Sequence, residues 1–134
     1  MAFILDDIVS YLNNAGLVTS TYPIFEGYIP DDQDNMMAVF ETGGSPPTEL
    51  GIGNAPRPNQ RVTFQFRVRG TRLNYAATRA QWLACFNALQ DSVLGNPNVY
   101  VYVQTKHDGP ICFNDDRGRS NFISNFNVMR TRET

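Results

Sequence analysis

A single histidine and two cysteines are all that 134 residues supply, so most of the usual equipment of metal centres, disulfide frameworks and thiol or imidazole catalysis is missing. Cys85 and Cys112 lie in otherwise apolar stretches, with no CxxC spacing and no histidine beside them. They read as two buried free thiols of a protein made in a reducing cytoplasm, or of a particle assembled there. No run approaches the roughly 20 apolar residues of a membrane span, and no basic stretch precedes an apolar one at the start of the chain. No membrane partner is expected. Charge is scarce too, at 18% against about a quarter in ordinary domains. The net charge of -2 excludes a general nucleic-acid coat, which carries a large cationic excess. The length fits one domain, residues 1–134, able to bury roughly two-thirds of its unfolded surface without staples.

The chemistry-bearing motifs are equally thin. His107 stands in Lys106-His107-Asp108-Gly109-Pro110 and reads as a solvated turn histidine. No Gly-x-Ser-x-Gly elbow occurs. Asp31, Asp32 and Asp34, with Glu26 before them, and Asp115-Asp116 are the densest acidic groups, but neither has the spacing, glycine and distal glutamate of a calcium loop. Both read as solvated turns. Gly51-Ile52-Gly53 begins like a dinucleotide fingerprint, yet Pro56 and Pro58 stand where a helix should open. No cofactor, metal or catalytic residue is predicted, and an enzyme is the least favoured class.

What the chain does have is alternation. In Arg61-Val62-Thr63-Phe64-Gln65-Phe66-Arg67-Val68-Arg69-Gly70 the apolar residues share one face of a strand. Arg61, Thr63, Gln65, Arg67 and Arg69 share the other, a long cationic, hydrogen-bonding surface suited to another chain or a polymer. Before it, Ile4, Ile8, Tyr11, Leu12 and Ala15 recur at helical spacing, predicting a helix from Phe3 to Ala15 stopped by Gly16. Short strands are predicted at Ile24 to Ile29 and Met36 to Glu41. A long glycine- and proline-rich loop follows at about 42–60, of a length that is usually functional. Asn74 can cap a helix running to about Leu94, with Trp82, Phe86, Leu89 and Val93 as its buried stripe and Leu83 and Ala76 in support. Val99 to Val103, Ile111 to Phe113 and Phe122 to about Arg130 complete the strands. A strand, helix and strand in succession suggest that the Arg61 and Val99 strands run parallel. The fold class is therefore α/β (α+β): one mixed sheet flanked by two helices.

Several of these pieces together resemble the tail terminator and minor capsid proteins of tailed bacteriophages. They are the first helix ending at Gly16-Leu17, the run Phe25-Glu26-Gly27-Tyr28-Ile29-Pro30-Asp31, the loop Gly43-Gly44-Ser45-Pro46-Pro47, and the arginine-bearing strand leading into a helix. The resemblance covers roughly Phe3 to Leu94, and none of its motifs is catalytic. It implies a virion protein of the tail or neck, assembled in the host cytoplasm into a hexameric ring. Such a ring caps the last ring of tail tube protein, offers its other surface to the head connector or stopper protein, and lets genomic DNA through its lumen without sequence-specific binding.

A closed ring needs two different complementary surfaces on each copy. The polar face of Arg61, Thr63, Gln65, Arg67 and Arg69 is the candidate for the protomer–protomer seam. Gly43, Gly44, Pro46, Pro47 and Asn54, with the turn of Asp115, Asp116, Arg117 and Arg119, are candidates for reaching axial partners. One rival is a head-completion or stopper role in the same neck region. Another is a nucleic-acid-binding module in which Arg67, Arg69, Tyr100 and Tyr102 stack on bases, provided that their strands are neighbours.

Overall fold

The computed structural model describes residues 4–44, 59–94 and 101–131. Two helices, α1 (Ile4–Asn14) and α2 (Tyr75–Leu89), lie on one face of a seven-stranded sheet of β1 (Ile24–Glu26), β2 (Met36–Gly44), β3 (Asn59–Gly70), β4 (Val93–Leu94), β5 (Val101–Thr105), β6 (Ile111–Asn114) and β7 (Ser120–Thr131). The strand order is β1-β2-β3-β7-β5-β4, and β6 also pairs with β7. An α+β fold with a single mixed sheet is thus what the alternation predicted.

The core follows from that alternation. Phe64, Phe66 and Val68 of β3 meet Phe122, Phe126 and Val128 of β7, Met37 and Val39 of β2 and Val103 of β5. Ile4, Leu5, Ile8 and Leu12 of α1 and Trp82, Cys85, Phe86 and Leu89 of α2 close over them. Phe64 and Phe126 stack at 5.0 Å between centroids. The Trp82 indole N–H donates to Ser124 Oγ at 2.6 Å, which lets a polar strand residue be buried without cost to its hydroxyl.

Helix α1 ends as its sequence dictates: Gly16 has φ +75°, and the Leu17 N–H reaches back to the Leu12 carbonyl, closing a Schellman turn. Helix α2 departs from expectation. Asn74 stands at its N-cap without a side-chain cap bond, and the helix stops at Leu89, because Asp91 turns left-handed at φ +56° and residues 93–94 pair with β5. Thr78 and Cys85 are buried where Leu83 and Ala76 were expected; both of those are exposed.

The expected parallel run of two strands is met at one remove. β3 and β5 do run parallel, but β7 lies between them, antiparallel to each. β1 and β2 pair parallel, Ile24 against Met37 and Glu26 against Val39, although only residues 27–35 connect them. The loop expected at about 42–60 is also narrower at both ends. β2 continues through Gly43 and Gly44, and β3 begins at Asn59; residues 45–58 lie outside the described residues. Between Glu41 and Gly44 the register shifts by one residue, a bulge in which a Cβ on Gly44 would stand 2.3 Å from the Arg61 carbonyl oxygen.

Gly70 is the other close approach. A Cβ there would lie 1.7 Å from Thr78 Oγ1, and Thr78 is buried with its hydroxyl committed to the Asn74 carbonyl. Gly70→Ala should therefore destabilise the protein by about 1–3 kcal/mol through overpacking. Urea unfolding should show a lower midpoint with an unchanged slope.

Candidate functional site: the uncovered sheet face

Because both helices lie on one side, the opposite face of the sheet carries the side chains that β3 directs away from the core. The register sets Arg61, Thr63, Gln65, Arg67 and Arg69 beside Met129, Asn127, Asn125, Ile123 and Asn121 of β7. It sets Gln65, Arg67 and Arg69 beside Phe40, Ala38 and Met36 of β2. The five predicted residues do form one row, but their surroundings differ.

At one end the face is roofed. Arg69 is only 4% exposed, and its guanidinium donates to the carbonyls of Pro30, Gln33 and Asp34. The Thr71 N–H bonds Asn35 Oδ1 at 2.8 Å. Residues 30–35 are thereby folded back over Met36, Ala38 and Asn121, all buried. Arg119, also 4% exposed, completes the clamp from the β6–β7 turn. It pairs with Asp115 at 2.8 Å and Asp34 at 3.3 Å and donates to the Asp31 carbonyl. Arg117 reaches the same carbonyl from solvent. Two of the predicted contact arginines, Arg69 and Arg119, are thus engaged inside their own chain, and the acidic turn, exposed at Asp31, Asp32 and Asp34 as expected, is also their counter-charge. Sequence spacing gave no sign of this, since Arg69 and Arg119 lie far from Asp31 and Asp34 along the chain.

The other end is open. Arg61 is exposed, Thr63 hydrogen-bonds Thr42 across the strands at 2.7 Å, and a shallow concavity of about 250 Å³ is lined by Arg61, Thr63, Tyr102, Gln104, Asn127 and Met129. Between the two ends Arg67 is half-buried, its guanidinium 5.4 Å over the Phe113 ring. Its Nε is buried and meets no hydrogen-bond acceptor among the described residues. Burial pulls the Arg67 pKa down, as expected of a cation whose water has been removed without a counter-ion.

His107 is not the solvated turn residue expected. It is half-buried, its Nδ1–H donates to the Gly109 carbonyl, and its Nε2 accepts the Asn125 backbone N–H at 3.1 Å. β5 and β6 lie end to end along one edge of β7, and the imidazole takes the place of a backbone acceptor at the gap between them. The cysteines separate as well. Cys85 is buried, which pushes its thiol up to about 12 and leaves it inert, whereas Cys112 is exposed on β6. Tyr102 is separated from β3 by β7 and donates to Asp91, so the neighbouring strands that base stacking required are not formed. Pro46, Pro47, Asn54 and Tyr100 lie outside the described residues. Among the described residues no group of histidine, cysteine or carboxylate side chains could hold a metal ion, and no helix is long and apolar enough to cross a membrane.

On Asp115, burial alone would raise the pKa, but the Arg119 and Arg117 N–H groups and the Arg119 guanidinium outweigh it and hold the carboxyl below its ordinary 3.8. A carboxyl depressed in the folded state stabilises it above the unfolded pKa and loses that contribution as pH falls through the folded one. Asp115→Asn should accordingly lower the melting temperature at neutral pH and have little effect well below 3.8. A parallel shift at all pH values would show that the charge is not the source.

The family model described as bacteriophage tail terminator protein matches residues 11–128 of this chain. A solved structure aligns with 98% of it and 95% of its own length, at a TM-score of 0.67 and 13% identity, a likeness of fold alone. No curated protein matches.

Proposed function

This chain belongs to the bacteriophage tail terminator family, and from that premise we propose that it closes into a ring, hexameric in the simplest case, that ends the tail tube and joins it to the head connector. The family is a structural one of the phage tail rather than a class of enzyme. The observation that carries the finer reading is the open half of the sheet face. Among the described residues Arg67 Nε is buried with no acceptor, and an unmet buried donor costs about 1–3 kcal/mol. The side chain as a whole is only half-buried, and a neighbouring subunit that brings a carboxylate or carbonyl to its accessible part offsets that cost on assembly.

Arg61, Thr63, Gln65 and Arg67 are the seam residues on this reading. Arg69 and Arg119 act indirectly, by fixing residues 30–35 beside them. Asp116 and Arg117, both exposed at the turn, remain the candidates for an axial partner. Genomic DNA passes through the ring, and the overall charge of -2 fits passage without tight binding.

Arg67→Glu places a carboxylate where a donor is needed and should weaken ring closure by about 2–5 kcal/mol. The measurement is mass by light scattering across concentration, together with capping of tails in an assembly reaction. Unchanged assembly with an unchanged fold would remove the face from the seam.

A further inference from the structure

The two ends of the sheet are unfinished in ways that match. β1 pairs only with β2 and β6 only with β7, so each leaves its second edge without a backbone partner among the described residues. Open edges are templates for further pairing. They are also of similar length, three residues in β1 and four in β6. Followed through β2, β3 and β7, the strand directions make β1 and β6 run opposite ways. A copy placed beside the sheet by rotation about an axis along the strands would therefore meet it antiparallel.

The side chains complement each other as well. All four residues of β6 are exposed, including Ile111 and Phe113, and a concavity of about 520 Å³ beside it is lined by Arg72, Leu73, Tyr75, Cys112 and Phe113. Leu73 is 94% exposed and held at φ +69°, an unfavourable backbone for a branched side chain. An exposed apolar residue in a strained conformation beside an open strand is unusual for a free surface. At the far edge, Phe25 and Tyr28 pack edge to face at 5.3 Å, with Tyr28 56% exposed. Glu26 stands beside them, its carboxyl raised by burial and then by the neighbouring Asp6. Among the described residues Arg72 is the cation that lines the concavity.

We propose that β1 of one copy adds as an antiparallel strand to β6 of the next, setting Phe25 beside Phe113 on the uncovered face and, on the helix side, covering Leu73 and bringing Glu26 to Arg72. This rests on the ring reading above and names its joint: the sheet continues from subunit to subunit. It makes the interface heterologous, as closure requires.

The native Cys112 on β6 reports the joint directly. Glu26→Cys, oxidised mildly in the assembled protein, should give a ladder of covalent oligomers on a non-reducing gel, absent from wild type and from Glu26→Cys/Cys112→Ser. Leu73→Asn supplies the second arm. Asparagine suits a left-handed backbone, so the variant should be at least as resistant to unfolding as wild type, while the concentration for half-assembly should rise at least ~10-fold. Rings that form without any ladder overturn the strand joint and leave the Arg67 seam standing. A ladder that persists in Arg67→Glu with assembly unchanged supports the joint and removes the seam. Leu73→Asn assembling like wild type, or Cys112 linking to a tail tube protein instead of a second copy, also overturns the joint.

Discussion

Everything in the molecule is registered against one ladder. Twelve successive residue pairs join β3 to β7, from Asn59 opposite Thr131 to Gly70 opposite Ser120. Because side chains alternate strictly along a strand, this pairing decides at one stroke that Phe64, Phe66, Phe122 and Phe126 face the helices and that Arg61, Thr63, Asn125 and Asn127 do not. A slip of one residue would exchange the two sets, and the stacking of Phe64 on Phe126 with the Trp82–Ser124 bond opposes it. β2 extends the ladder on one side, and β5 and β6 share the other, with His107 filling the break between them.

The arginines divide by what they meet. Arg69 and Arg119 are buried among carbonyls and carboxylates of residues 30–35 and 115, and replace a hydrophobic contact as the means of fixing a loop on a sheet. Arg130, fully buried on the helix side, pairs with Asp7 of α1 at 3.8 Å. Arg67 alone of the row has a buried donor without an acceptor among the described residues. Breaking a buried charge pair costs more than such a pair contributes, so these clamps act mainly as locks against alternative placements of the loop.

Local physics was readable in the sequence and distant pairing was not. The alternation of Arg61 to Gly70, the helical spacing of Ile4 to Leu12 and the stop at Gly16 are nearest-neighbour signals, and each element formed as they required. The sequence could not say that β1 would lie parallel to β2, since a nine-residue connection resembles that of a hairpin. Nor could it show that Val93 and Leu94 would leave the helix to pair with β5, because their apolar pattern serves either structure. The acidic turn at Asp31 to Asp34 and the lone His107 looked solvated, their partners being encoded far along the chain. Cys112 appeared buried by composition, but no strand among the described residues pairs with the second edge of β6. On the proposed contact face, the row of five was legible, whereas which of its members remain available depended on residues 30–35.

The placement of both helices on one side makes the molecule thick behind the sheet and thin in front of it. Any assembly that carries the sheet onward must bend it, and bulk on one surface biases that bending toward the other, much as a bimetal strip curls away from its wider layer. The helical layer would then lie on the convex side, where there is more room, and the asparagine- and arginine-bearing face on the concave one.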